Sequence, residues 1–327
     1  MKALRVLGIL ILAAAMFVGD TDFVSTSTWG QDQKTIVKEH QQFIYTVVRV
    51  RHKTAGGSGV LIRSAKEDQD NFCNYVITNH HVVGSAIKHV KEYSTFTKQM
   101  EDKEKLDTVN VEIFRYMNTS KLMDRSVYDA NILTYDKSRD IALLMFRTVK
   151  KLDFVAKLPA KGKAYYMLQE VYSVGAALSH KPVATRGQIT SLDEKIENLP
   201  FFLCSSPIIY GNSGGATFLV DTGEFIGVPA RIDALKTRFG STDSVTHLAY
   251  IIPVDEVYKS LDRNGYGYVW DMKQNWVDCA KKRRAARQGA TLKRLQDAKN
   301  KIGKTAIGGT SANDLFDPMP YDPMLEK

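Results

Sequence analysis

Short apolar runs separated by turn residues constrain this chain more than any other feature. They recur from residue 40 to residue 253 as β-branched or alternating segments bounded by Gly, Asn, Asp or Lys, for example FCNYVITNHHVV, VYSVGAAL and ATFLVD. Many short strands at this spacing favour an antiparallel β-sandwich or barrel. Residues 85–107 are densely charged, and we expect them to form a helix or a long surface loop instead.

The N-terminal region differs from this β-rich core. Residues 1–19 place Lys2 and Arg5 before an uncharged apolar run from Val6 to Val18. A basic start and an apolar stretch too short to cross a bilayer comfortably are typical of a secretory signal peptide, and the alternative is an uncleaved N-terminal anchor. The chain is therefore predicted to be exported to the periplasm or outside the cell, either released or held at the membrane by its N-terminus. Residues 20–39 are predicted to be a linker.

The C-terminal region is basic. Residues 263–304 are helix-prone, and from Trp276 to Lys304 they hold ten Lys or Arg and two Asp, which accounts for most of the net charge of +9. We expect residues 276–304 to bind an anionic membrane, a nucleic acid or an acidic partner, or else to form a solvated helix. Residues 305–327 are predicted to be irregular.

The cysteine content argues against a disulfide framework. The chain has three cysteines, Cys73, Cys204 and Cys279, an odd and sparse set. One disulfide bridge is possible if the chain is exported, but we expect the cysteines to be buried or free thiols.

Three short segments carry residues suited to acyl transfer. Ser213 lies in the glycine-rich sequence GNSGG, a tight loop whose amide N–H groups could stabilise an oxyanion. A serine needs a base to become nucleophilic, and a carboxylate must hold that base. Two adjacent histidines, His80 and His81, precede it in VITNHHVVG, and Asp140 lies between them and the serine. Asp136 is the nearest competing carboxylate, but the apolar strand IALL does not follow it directly.

Together, VITNHHVV, SRDIALL and GNSGG resemble the signatures of the chymotrypsin-like serine proteases, most of all those of the Deg/HtrA-like branch. GGSGVLI at residues 56–62 resembles the strand before the histidine in that branch, and GEFIGV and AYIIPV resemble strands after the serine. The resemblance covers residues 40–262, which it identifies as a protease domain. It implies a mostly β fold of two six-stranded antiparallel β-barrels, followed here by a helical basic tail.

The resemblance also implies roles for single residues. The family histidine directly precedes the Val-Val pair, which makes His81 the general base and leaves His80 a bystander. Asp140 orients His81, Ser213 is the nucleophile, and the amides of Gly211 and Ser213 form the oxyanion hole. A metal site at the two histidines is the alternative, but adjacent helical residues point about 100° apart and no cysteine or carboxylate cluster supports ligation.

Substrate preference is implied only by the positions that line the specificity pocket in the family. These are Pro207, Tyr210, Val228 and Arg231. Pro207 stands six residues before the serine, where an Asp would select Lys or Arg, so we expect a small or medium apolar P1 residue. Arg231 either favours an acidic group or lies at a solvated strand edge.

The predicted activity is that of a serine endopeptidase acting on proteins or peptides through an acyl-enzyme, without metal or cofactor. The alternative is a catalytically silent protease fold that binds partners through its basic helix. Many Deg/HtrA-like proteins carry a PDZ domain after the protease domain, but residues 263–327 lack a repeated strand pattern or a peptide-carboxylate loop. PDZ-gated regulation is therefore not implied.

Overall fold

The structure is a computed structural model, and it describes residues 33–302 except for 54, 68–69, 95–98, 118–120 and 237–241. The chain divides into two units, residues 1–38 and 39–327. The predicted signal segment, most of the predicted linker and the predicted irregular tail lie outside the described residues. The described end of the linker forms a short helix.

The second unit is built mainly from strands. In chain order the described strands are β1 (Val47–His52), β2 (Ala55–Lys66), β3 (Phe72–Thr78), β4 (Ile87–Ser94), β5 (Gln99–Leu106), β6 (Val109–Met117), β7 (Lys121–Asp136), β8 (Ile141–Thr148), β9 (Glu170–Gly175), β10 (Val183–Ile196), β11 (Leu199–Cys204), β12 (Ala216–Leu219), β13 (Phe225–Lys236) and β14 (Thr242–Pro253). The described α-helices are α1 (Gln33–Glu39), α2 (His80–Val83), α3 (Val254–Arg263) and α4 (Trp276–Ile302). A π-helix at His40–Ile44 and 3₁₀ turns at Gly84–Ala86, Ala177–Ser179 and Gly267–Val269 complete the described elements.

Twelve of these strands close into two antiparallel barrels. The first has the strand order β1-β2-β3-β8-β7-β6, and the second has the order β10-β11-β14-β13-β12-β9. Closure leaves neither barrel with an open sheet edge. The predicted fold of two six-stranded antiparallel barrels with a helical basic tail is confirmed.

Strand β8 shows why an unbroken apolar sequence forms a strand here. Its odd-numbered residues from Ile141 to Met145 pack in a core cluster that contains residues of both barrels. Its even-numbered residues from Ala142 to Phe146 pack in a second cluster, made of residues of the first barrel, of α2 and of the turn that follows α2. Successive side chains of a strand point to opposite faces, so a strand buried on both faces needs apolar residues throughout. The turn that contains Asp140 directly precedes this buried strand and lies at the end of the barrel.

The expectation for residues 85–107 was wrong, because most of this segment forms a two-stranded antiparallel hairpin of β4 and β5. Its charged residues pair across the strands, as between Lys103 Nζ and Glu92 Oε2 at 3.4 Å. Both faces of the hairpin are largely solvated, so it lacks the apolar alternation by which a half-buried strand is recognised.

The start of the basic tail belongs to the folded core. Trp270 stacks on Tyr258 of α3 with ring centroids 4.1 Å apart, and Trp276 packs against the same core cluster. Cys279 is buried there at the start of α4. None of the three cysteines forms a disulfide, and all are buried. No helix in the described ranges is long and apolar enough to cross a membrane.

Candidate active site

The two histidines lie at the start of α2, immediately after β3. The ring Nδ1 of His81 is 2.7 Å from Asp140 Oδ2, and the backbone N–H of His81 donates to Asp140 Oδ1 at 2.9 Å. With Nδ1 donating to the carboxylate, Nε2 is the ring nitrogen that can accept a proton. The His81 side chain is 49% exposed and that of Asp140 is 16% exposed, so substrate can reach the imidazole while the carboxylate is shielded.

The turn before β8 orients Asp140. Asp140 has a φ of 55°, in the left-handed region that Asp tolerates better than most residues. Its carbonyl accepts a hydrogen bond from Asn79 Nδ2 at 2.8 Å. Asp136, the competing carboxylate, bonds instead to Ser138 and Arg139 within the same turn. The structure therefore pairs the histidine with Asp140 and not with Asp136.

His80 faces a different environment. Its ring packs against Tyr135, with centroids 5.0 Å apart. Burial lowers the pKa of His80 below the ordinary histidine value. In the described part of the chain, no group of three or more His, Cys, Asp or Glu side chains is arranged to hold a metal ion.

The carbonyls on either side of the predicted nucleophile are engaged in hydrogen bonds. Four successive carbonyls, from residue 210 to residue 213, accept hydrogen bonds. Tyr210 O accepts from Leu178 N (2.8 Å), Gly211 O from Ser58 Oγ (2.6 Å), Asn212 O from Gly215 N (2.9 Å) and Ser213 O from Ser58 N (2.8 Å).

Within the sequence GNSGG, two N–H groups have no acceptor among the described residues. Asn212 N–H donates to Ile209 O and Gly214 N–H donates to Pro229 O, each at 3.0 Å, whereas the N–H groups of Gly211 and Ser213 donate to no atom among the described residues. In a trans peptide the C=O and N–H point in opposite directions, so bonding the carbonyls on one side directs these two donors to the other side. The arrangement can bind an anion or a developing oxyanion.

Two glycines bring this loop against the histidine helix. A Cβ on Gly57 would lie 2.6 Å from Val82 Cγ2 and 2.8 Å from Ser213 O. The residue after His81 and the predicted nucleophile therefore both pack closely against Gly57 of β2. Gly214, with a φ of 83°, would place a Cβ 2.3 Å from Ser58 O and 2.3 Å from Thr78 Oγ1. The close approach of Ser213 to the end of β3 thus depends on residues without side chains.

The predicted specificity residues are spread over different surroundings. Pro207 is exposed and its carbonyl accepts a hydrogen bond from Thr185 Oγ1 at 2.6 Å, and Tyr210 is 72% exposed. Val228 is completely buried in the core. Arg231 is exposed, and its guanidinium lies 5.9 Å from the ring centroid of Phe201.

Sequence reasoning missed two residues that hold the site together. Ser58 lies within the GGSGVLI strand, but the sequence does not show that its hydroxyl and its N–H reach the nucleophile loop. Arg139, directly before Asp140, bonds to Glu256 of α3. The serine among glycines in β2 is a signal that could have found Ser58, whereas nothing local to Arg139 indicates its distant partner.

Comparison with known proteins gives a consistent set of similarities. Residues 57–228 match the family described as "Trypsin-like peptidase domain". The chain is 28% identical over 145 residues to Serine protease HTRA1 of Xenopus tropicalis and 27% identical over 143 residues to Serine protease HTRA1 of Xenopus laevis. Each alignment covers 42% of this chain and 28% of the relative, so the chain spans less than a third of these relatives.

A solved structure shares the fold at low sequence identity. The crystal structure of Deg5 superposes with a TM-score of 0.50 at 17% identity, covering 74% of this chain and 96% of that chain. At this identity the likeness concerns the fold alone.

Proposed function

Because the chain belongs to the trypsin-like peptidase domain family and is of the HtrA/Deg type, we propose that it is a serine endopeptidase. The contact of His81 Nδ1 with Asp140 Oδ2 carries this proposal, because a general base needs such a carboxylate to hold its ring and tautomer. The N–H groups of Gly211 and Ser213, which have no acceptor in the described part of the chain, support it as candidate oxyanion donors.

The proposed reaction proceeds through an acyl-enzyme. His81 Nε2 takes the proton of Ser213 Oγ while that oxygen bonds to the carbonyl carbon of the substrate. The N–H groups of Gly211 and Ser213 donate to the oxyanion that forms. When the C–N bond breaks, His81 returns the proton to the leaving amine. Water, deprotonated by His81, then attacks the ester carbonyl carbon. As the ester C–O bond breaks, His81 returns the proton to Ser213 Oγ and the carboxylic acid product is released.

Replacement of the nucleophile tests this proposal. Wild-type protein is expected to cleave casein, an unfolded substrate, and to form a covalent adduct with a fluorophosphonate probe at Ser213. Ser213→Ala removes both activities, whereas Ser191→Ala, at a serine that donates to Asp193 on β10, retains them. Undiminished casein cleavage by the Ser213→Ala variant would show that this serine is not the nucleophile.

We also propose a preference for a small or medium apolar P1 residue. Pro207 offers no charge at its position, and the contact of Arg231 with the ring of Phe201 favours the solvated strand edge for that arginine. Mass spectrometry of the peptides released from casein tests this preference. Cleavage mainly after Lys or Arg, or after acidic residues, would contradict it.

The second candidate function is binding through the basic helix α4 by a catalytically silent fold. Lys281, Lys282, Arg284 and Lys293 are exposed on α4, which favours an anionic partner. A salt-sensitive complex with DNA or anionic vesicles, in a protein that does not react with the fluorophosphonate, would support this candidate over the first. Adduct formation at Ser213 decides for the peptidase.

Export from the cytoplasm remains a proposal that rests on the apolar segment of residues 6–18. The N-terminal residue of the mature protein tests it. A start near residue 20 in material recovered outside the cytoplasm is expected, and an intact Met1 in soluble cytoplasmic protein would contradict export.

A further inference from the structure

Ser58 is a residue of the first barrel that forms hydrogen bonds to the loop of the predicted nucleophile. It lies in β2 of the first barrel and is completely buried. Its N–H donates to Ser213 O at 2.8 Å, and its carbonyl accepts from Thr78 Oγ1 at 2.6 Å. The backbone of this one residue therefore connects the nucleophile to the strand end from which the histidine helix begins.

The hydroxyl of Ser58 makes two further contacts whose directions are fixed. Ala176 N–H donates to Ser58 Oγ at 2.7 Å, and Ser58 Oγ lies 2.6 Å from Gly211 O. A carbonyl oxygen can only accept, and a hydroxyl has a single proton, so Ser58 must donate that proton to Gly211 O. The hydroxyl thus acts as acceptor and donor at once, between the end of β9 and the nucleophile loop.

These contacts hold the two peptides that follow the candidate oxyanion donors. Ser58 bonds the carbonyl of Gly211 and that of Ser213, while the N–H groups across the same peptides bond Ile209 O and Pro229 O. Each of these two peptide planes is therefore fixed on both sides. Gly211 has a φ of 98°. Because a glycine can adopt many backbone conformations, a contact from outside the loop is needed to hold Gly211 in this one.

We propose that Ser58 is a positioning residue that holds the N–H groups of Gly211 and Ser213 in the orientation that receives the oxyanion. The inference rests on the peptidase function proposed above. Ser58 would touch neither substrate nor reacting atoms. Its loss should weaken transition-state stabilisation and leave ground-state binding nearly unchanged, which separates it from a merely structural role.

Ser58→Ala tests the proposal in the full-length chain. It removes the hydroxyl and leaves Gly211 O and Ala176 N–H without their partner. With p-nitrophenyl acetate, which makes few demands on the specificity pocket, we expect kcat for acylation to fall about 10-fold with KM within about twofold, less than the ~10²–10³-fold loss on deleting an oxyanion donor. The rate of fluorophosphonate labelling should fall in parallel.

Ser64→Ala is the matched control. It makes the same change on the same strand, at a serine whose hydroxyl accepts from Leu152 N–H at 3.1 Å and does not contact the nucleophile loop. We expect it to leave kcat unchanged. Ser58→Cys keeps the shape of the side chain but bonds weakly, so it should lose kcat as well, and it decides the matter if Ser58→Ala does not fold.

Folded Ser58→Ala or Ser58→Cys protein with wild-type kcat would overturn the positioning role, as would an equal loss of kcat in Ser64→Ala. Each of these results leaves the peptidase function intact, since wild-type protein is active in all of them. Wild-type protein that neither turns over p-nitrophenyl acetate nor labels at Ser213 would contradict the proposed function itself.

Discussion

Arg139 Nε donates to Glu256 Oε2 at 3.0 Å and so connects the turn of Asp140 to helix α3. Both side chains are largely buried, with 14% and 6% of their surfaces exposed. Arg139 also bonds Asp136 Oδ2 at 3.0 Å, which closes the turn on itself. A helix that follows the second barrel therefore supports the carboxylate that faces His81 in the first.

Glu256→Ala should destabilise the protein, because it leaves the Arg139 charge buried with one partner fewer. We expect the free energy of unfolding to fall by about 3 kcal/mol, as when one partner of a buried ion pair is deleted. Urea unfolding followed by tryptophan fluorescence measures the change. Glu92→Ala removes a carboxylate from the exposed hairpin and should leave the unfolding midpoint where it was. Equal midpoints for the two variants would mean that the buried pair is not important for stability.

The two adjacent histidines should respond differently to the same substitution. His81→Ala removes the partner of Asp140 and is expected to lower kcat by about 10⁴-fold or more. His80→Ala removes only the packing against Tyr135, so kcat should stay within a few-fold of wild type. Steady-state hydrolysis of p-nitrophenyl acetate measures both. A greater loss in His80→Ala would place the base one residue earlier.

Gly57→Ala should separate the histidine helix from the nucleophile loop. The new methyl group would lie 2.6 Å from Val82 Cγ2 and 2.8 Å from Ser213 O, closer than carbon atoms pack. We expect casein cleavage to fall at least 10²-fold, since a misplacement of about 1 Å can cost that much. Gly84→Ala is the control, because no neighbouring atom of the described residues lies within 4 Å of the added Cβ. Comparable activity in the two variants would refute this account of Gly57.

Acid should weaken the fold through His40. Burial, reinforced by the nearby charge of Lys181, lowers the pKa of His40 from its ordinary value of 6.5. The unfolded chain then binds the proton more tightly than the folded chain, so the stability from neutral His40 is present above pH 6.5 and is lost as the pH falls through the lowered pKa. The loss is at most about 1.4 kcal/mol per pH unit.

His40→Phe tests this effect, since a phenyl ring can keep the edge contacts with Tyr45 and Tyr116. Urea unfolding at pH 7.5 and at pH 5 should show a smaller loss of stability in this variant than in wild type. His89→Phe, at an exposed position of the hairpin, should behave like wild type. An unchanged acid response in His40→Phe would exclude His40 as its source.

The sequence predicted those strands whose local apolar pattern reflects burial on one or both faces. The run after Asp140 predicts a buried strand because both of its faces need apolar residues. Such runs indicate a sandwich or a barrel, and only the resemblance to the protease family implies two barrels. The hairpin of β4 and β5 could not be predicted in this way, because solvated strands need no apolar alternation. The contacts of Ser58 and Arg139 join residues 153 and 117 positions apart, and a single sequence does not contain that information.

Arg283 illustrates the same limit. Within a run of cations it is expected to be solvated, yet it is 7% exposed, donates to Gly265 O at 2.6 Å and lies 4.1 Å from the ring centroid of Tyr266. Its neighbour Arg284 is exposed. The guanidinium of Arg283 also lies 5.9 Å from the ring centroid of Tyr268. Tyr268 follows residue 262, the end of the protease domain predicted from the sequence.

The buried first turns of α4 change where a minimal folding fragment ends. The family match stops at residue 228 and the last barrel strand at Pro253, yet Cys279 and Ala280 are still buried and Arg283 lies over the rings of Tyr266 and Tyr268. A fragment cut directly before α4 would expose the rings of Tyr266 and Tyr268 to solvent and invite aggregation. Expression boundaries for the peptidase unit therefore belong beyond Arg283, in the exposed part of the helix.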